Sequence, residues 1–511
     1  MKKLLSILLV LMLACSFMFA QAAAEAESKT KDFTPIVEEE IPVLHILNFN
    51  VSYNMTDCPD YQAIEEATGI KATFDVLPSE NTDEVLMLTL SMDNDYDCAV
   101  IKGNSAFRTL MNSGALLPLN DYIDYYAPEL WDLCDEKVWR GVSDEEGNVY
   151  CLPATASVKY EINANMTVRL DLAEKAGLGR ELPTTITEFY NYCKALKDFY
   201  GDEYTIIAAP DNSKFSISAC IMSAFGIYND WMLDANGKVI YMTEHPNYPA
   251  MIEFMNKLYR EGILDAEYAT NNLTKVNAKL SSGKSIITMN GRGSISSPAK
   301  SLLKNFPELT LDDLGFIPFL RADDGTASVM LNDGYSIYTV IPKSAEKNAK
   351  YVLEYAKRKV QNQEYCFIGE EGVHFYWDED GYPVPIQPKF NDERNKSNNY
   401  LMMKDNDLWE LQFYARLRKT ESIWRMFEVC GIDFKNNCQD AWVEAYFSYN
   451  NCDEYSKYNA NLQSNLKTYN IQLITGVKDL ASSLSDFNKE FKVGGGEEVR
   501  AALQEYIDTQ K

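Results

Sequence analysis

Between residues 41 and 101 the chain alternates strand and helix patterns, and this order constrains the fold more than any other feature. Ile41 to Phe49 (IPVLHILNF) is an apolar run that passes into the polar Asn50 and Ser52. It predicts a buried first strand. Tyr61 to Thr68 (YQAIEEAT) predicts a helix, and Gly69 supplies its stop. Ile70 to Val76 (IKATFDV) predicts a second strand, Glu84 to Met92 (EVLMLTLSM) a second helix, and Tyr96 to Ile101 (YDCAVI) a third strand. A βαβαβ order of this kind requires a parallel sheet with helices on its faces. Ligands of such sheets sit beyond the carboxyl ends of the strands. That puts Asn48, Asn50, Tyr53 and Asn104 near any site, or else leaves them as residues that only cap and turn the chain.

Composition removes several functions. The chain has 511 residues, 48 Lys plus Arg against 75 Asp plus Glu, and a formal net charge of −27. Nucleic-acid binding needs clustered cations, and so does an anionic membrane surface, so neither is expected as a partner. The length suits at least two domains. The three histidines, His45, His245 and His374, have no metal-ligand spacing, and no phosphate-cradling glycine loop is present. Neither a metal nor a cofactor is therefore expected. Ten cysteines beyond residue 15 are scattered without a C-x-x-C pair, which argues against a zinc or thioredoxin site and leaves disulfides or buried thiols open.

Residues 1–22 have the form of a secretory signal peptide: Lys2 and Lys3, an apolar run, then Ala20-Gln21-Ala22 as a cleavage site. An uncleaved anchor is the alternative, although the apolar run is short for a membrane span. Met12-Leu13-Ala14-Cys15 is similar to a lipobox, which makes Cys15 the candidate lipid attachment point and, once the signal is cleaved, the expected route to a membrane. Residues 23–40 are polar and acidic and are expected to be a tether.

Further along, the segments GALLPLNDY (114–122), VYCLPATA (149–156), NMTVRLDLAEKAGL (165–178) and LPTTITEF (182–189) follow one another in order. SGKSIITM (282–289), YSIYTVIPK (335–343), GEEGVHF (369–375) and YNIQLITG (469–476) continue the series. In this order they resemble the extracellular solute-binding proteins of sugar ABC importers, in particular the large lipoprotein-type subgroup related to maltodextrin- and alginate-binding proteins.

The resemblance implies an α/β, two-lobed periplasmic-binding-protein type II fold, with a hinge between the lobes and ligand in the cleft. Lobe one would hold 41–156 plus 335–380, and lobe two 160–330 plus 385–511. Crossings would fall near 154–159, 332–336 and 376–385. It further implies a non-enzymatic, exported protein that delivers an oligosaccharide to an ABC importer permease. A secreted glycan hydrolase and a binding protein for a peptide are the alternatives. Sugar sites combine flat aromatic faces with amides, carboxylates and arginines. On that basis Trp231, expected in a polar loop before the Asp234-Ala235-Asn236-Gly237 turn, is the leading stacking residue. Arg292 stands where the maltodextrin-binding proteins often carry an aromatic after Asn-Gly, so hydrogen bonding or anion reading replaces stacking there. Tyr335 and Trp377 lie near expected crossings. The stretch Lys197–Glu203 lacks the alternating oxygen ligands of the calcium loop that some relatives carry, so no calcium is expected.

Overall fold

The computed structural model describes residues 33–92, 94–155, 157–210, 218–332, 334–447 and 452–509. The signal segment and Cys15 lie outside the described residues. Two sheets organise the molecule as a two-lobed α/β fold.

The first sheet has the order Ala72–Val76, Leu44–Asn48, Cys98–Lys102, Ile337–Val340, Leu152–Ala154. Its first three strands are parallel, as the alternating pattern requires, and Ile337–Val340 runs antiparallel to both of its neighbours. The helices between them are Pro59–Thr68 and Thr82–Ser91. Gly69 ends the first of these at φ +69, a conformation open to glycine at little cost. The second sheet has the order Leu314–Ile317, Ala164–Arg169, Ser285–Gly291, Thr205–Ala208. Beside it the motif LPTTITEF starts the helix Ile186–Tyr200 through a reciprocal cap: the Thr185 hydroxyl accepts from the Glu188 N–H, and the Glu188 carboxylate accepts from the Thr185 N–H.

Each sheet has its own core. Leu44, Ile46, Ala99 and Val340 belong to the first, and Val168, Ile207, Ile287 and Met289 to the second. The stretch 385–511, expected to lie wholly in lobe two, is divided. Tyr400, Leu401, Trp409, Phe413 and Phe427 pack into the first core, whereas Leu462, Leu473, Phe491 and Leu503 pack into the second. Amphipathic helices carry no label for the sheet they cover, so the sequence pattern alone did not separate them. The third passage between lobes also lies later than 376–385. It falls at the helix Glu421–Phe427, where Phe427 enters the first core while Met426 joins Leu302 and Phe316 of the second lobe.

Candidate functional site

The sheets are joined by two chain segments that run side by side. One leaves Leu152–Ala154 for Ala164–Arg169; the other returns from Leu314–Ile317 to Ile337–Val340. The Asn332 N–H donates to the Lys159 carbonyl at 2.9 Å and the Ser336 N–H to the Ala154 carbonyl at 2.9 Å. Both segments lie at the edge of the first sheet that carries Lys102, since Ile337 stands opposite Lys102 and Ala154.

Two cavities flank this pair, and Asn332 lines both. The first, of about 510 Å3, is walled by Tyr160, Tyr335, Trp409, Lys404 and the acidic residues Asp135 and Asp405. Lys404 is 4% exposed and has no carboxylate partner among the described residues. Its ammonium reaches only the Ser157 carbonyl at 3.5 Å and the face of Trp409 at 4.8 Å. Burial lowers its pKa to about 7, against a small opposing effect of Cys134. The indole N–H of Trp409 is buried without an acceptor among the described residues. The second cavity, of about 470 Å3, has an apolar wall that includes Met222, Met251 and Leu466, and polar groups that include Asn229, Asp230 and Asn470. Burial raises the Asp230 carboxyl pKa, offset in part by a hydrogen bond with Gln463.

The carboxyl edge of the first sheet brings several expected residues together. The buried Asn48 amide donates to the Asn399 carbonyl at 3.4 Å, and its own oxygen has no partner among the described residues. The Tyr53 hydroxyl accepts from the Asn399 amide at 3.0 Å, and the Lys396 ammonium lies 4.3 Å from the Tyr53 ring centroid. Asn50 is exposed and donates to the Leu77 carbonyl at 2.9 Å. Asn104 begins the helix Asn104–Asn112 just beyond the third strand. From the other lobe, Arg292 pairs with the buried Glu161 and lies 5.0 Å from the Phe413 ring centroid. Burial raises the Glu161 pKa, and Arg292 pulls it partly back.

Two aromatic expectations change. Trp231 is not in a loop but in the short strand Trp231–Leu233, which pairs with Val239–Tyr241 across the predicted turn. Its ring is 2% exposed, 4.7 Å from Tyr241, with its N–H donated to Asn459 at 2.9 Å. It is a core residue of lobe two and has no free face for a sugar. The C-terminal helices that cover it are more than two hundred residues away in sequence, so local pattern gave no sign of its burial. Trp377 lies in the hairpin Phe375–Trp377 with Pro383–Pro385 and packs edge-on against Phe375 at 5.3 Å. Tyr335 does line the first cavity and meets Tyr338 edge-on at 5.3 Å. Sequence reasoning missed Glu161, Asn399, Lys404, Arg416 and Lys419. A usable signal was the basic run Arg416-Leu417-Arg418-Lys419 in a chain this acidic.

A family model for bacterial extracellular solute-binding protein matches residues 61–366. The chain belongs to this family. The matched span holds the whole second sheet, every strand of the first except Leu44–Asn48, and both crossing segments. Among sequence relatives, Lipoprotein LipO of Bacillus subtilis strain 168 is 26% identical over 330 residues, 62% of this chain and 63% of that one. Among solved structures, the alginate-binding protein AlgQ2 without calcium ion has a TM-score of 0.65 at 18% identity, covering 91% of this chain and 98% of that one. The substrate-binding protein FusA of Streptococcus pneumoniae, in complex with kestose, has a TM-score of 0.63 at 17% identity, covering 92% and 99%. These likenesses establish the shared fold. No group of three or more His, Cys, Asp or Glu side chains that could hold a metal occurs among the described residues.

Proposed function

We propose that this protein captures a carbohydrate, most simply an oligosaccharide, outside the cell and hands it to an ABC importer permease without chemical change. The observation that carries this reading is the cavity along the crossing segments. The half-buried Tyr160 and Tyr335 stand there beside carboxylates and Lys404, a mixture of flat apolar faces and charged hydrogen-bonding groups that suits a sugar ring. Family membership supports the binding role, and FusA and AlgQ2 are described as binding a fructooligosaccharide and alginate. Ligand contacts on both lobes would bias a hinge equilibrium toward closure, the state the permease reads. The signal segment and Cys15 fit an exported protein with a lipid anchor, and the likeness to a lipoprotein supports that arrangement.

A thermal-shift screen of the mature chain against oligosaccharides and peptides tests the ligand class. At least one oligosaccharide should raise the melting temperature in a concentration-dependent way, because a ligand of the native state stabilises by mass action. Stabilisation by peptides alone would reject the carbohydrate reading.

A further inference from the structure

Three cations gather where the lobes meet. Arg292 follows the second-lobe strand Ser285–Gly291, whereas Arg416 and Lys419 come from the end of the helix Asn406–Arg418 that packs on the first core. The Arg292 guanidinium lies over Phe413 of that same helix, 5.0 Å from the ring centroid.

Their hydrogen bonds are unusual for buried cations. Arg416 is 7% exposed and bonds only neutral groups: the carbonyls of Arg394 at 3.0 Å and Asn395 at 2.7 Å, the Ser397 hydroxyl at 2.8 Å and the Asn398 amide oxygen at 2.8 Å. Lys419 donates to the Asn395 amide oxygen and has no ion-pair partner among the described residues. Arg292 spends its Nε on Glu161, while its two terminal nitrogens make no hydrogen bond among the described residues. Arg292 and Lys419 are both half-buried, so a solute can reach them. Asp60 acts on Arg416 and Lys419 at a distance, but its oxygens accept from the Lys396 N–H at 2.7 Å and the Cys58 thiol at 3.3 Å. Burial first, then Arg416, lowers the Lys419 pKa to about 8, with Arg292 adding to the effect.

Three cations therefore share one paired carboxylate in a chain whose net charge is −27. Like charges brought together out of water destabilise one another unless an anion joins them. A guanidinium with two free terminal nitrogens matches a carboxylate fork, and a neighbouring ammonium adds a point charge.

We propose that this cluster takes a carboxylate borne by the ligand, so that the preferred solute is an acidic saccharide, held directly by Arg292 and Lys419. Arg416 is a positioning residue: it fixes the Arg394–Asn398 segment and adds field. The inference rests on the carbohydrate reading above.

The test is calorimetric titration of the mature chain with matched pairs, each an acidic oligosaccharide and its neutral counterpart. Tetragalacturonate against galactotetraose and 3′-sialyllactose against lactose are two such pairs. The expected result is a preference of tenfold or more for the acidic member of at least one pair, weakened at 0.5 M salt, with salt leaving neutral sugars unaffected. Lys419→Gln should abolish that preference and keep a normal melting temperature. Arg292→Lys, which keeps a charge for Glu161 but removes the fork, should reduce it. Neutral sugars bound as tightly as acidic ones, or a preference untouched by Lys419→Gln, would overturn the inference and leave the carbohydrate reading standing. Binding of peptides with no saccharide of either kind would overturn both.

Discussion

Lys404 shows how much one side chain can depend on its surroundings. It follows the apolar run Tyr400–Met403 and is carried inside with it, its ammonium facing a cavity without a carboxylate partner. The folded pKa, lowered by burial to about 7, lies below the ordinary lysine value. The folded state thus binds this proton less tightly than the unfolded chain does. The stability tied to Lys404 is complete above about pH 10 and is lost as pH falls through about 7. Lys404→Met should therefore match the wild type in denaturant midpoint near pH 10 and exceed it near pH 7, by about 2–4 kcal/mol. Equal midpoints at both pH values would show that the ammonium is solvated. Trp231 is a second residue whose role follows from burial. Trp231→Ala should cost about 3–5 kcal/mol of stability, the usual range for a buried aromatic. Its folded fraction should bind the best saccharide with unchanged affinity, read by titration at low temperature; a loss of affinity in correctly folded protein would return Trp231 to the site.

At the scale of elements, the part of the fold legible in sequence was the part built from local order. The βαβαβ run and the stop at Gly69 follow from short segments read in series, whereas the crossings beside 154–159 and 332–336 followed from the family resemblance. Long-range cover was not legible. The helices Asp453–Ile474, Leu480–Val493 and Gly496–Thr509 close over the hairpin that holds Trp231, and nothing near residue 231 announces them. The site was half legible for the same reason. Asn48 and Tyr53 end or follow the first strand, where the rule for open α/β sheets points, whereas Arg292 and Tyr335 were named from the family resemblance. Asn399, Lys404, Arg416 and Lys419 arrive from a late segment whose lobe the pattern could not assign. The C-terminal helices also depend on close approach. Gly495 has φ +86, and a Cβ there would meet the Tyr458 ring at 2.5 Å. Gly495→Ala should lower stability by about 1–3 kcal/mol through both the backbone conformation and the clash. An unchanged melting curve would mean that these helices move apart freely.

At the scale of the molecule, two sheets with separate cores are joined by a paired crossing and by the helix Glu421–Phe427, which contributes to both lobes. In a chain with a net charge of −27 the locally cationic junction is an exception that asks for a ligand. The proposed role of the protein is capture without turnover. The most direct measurement is calorimetric titration of the mature chain with its best saccharide, followed by chromatographic recovery of that saccharide after prolonged incubation. Saturable binding of one ligand per chain, with the saccharide recovered intact, is the predicted result. Recovery of cleaved products that grow with time and protein concentration would contradict it.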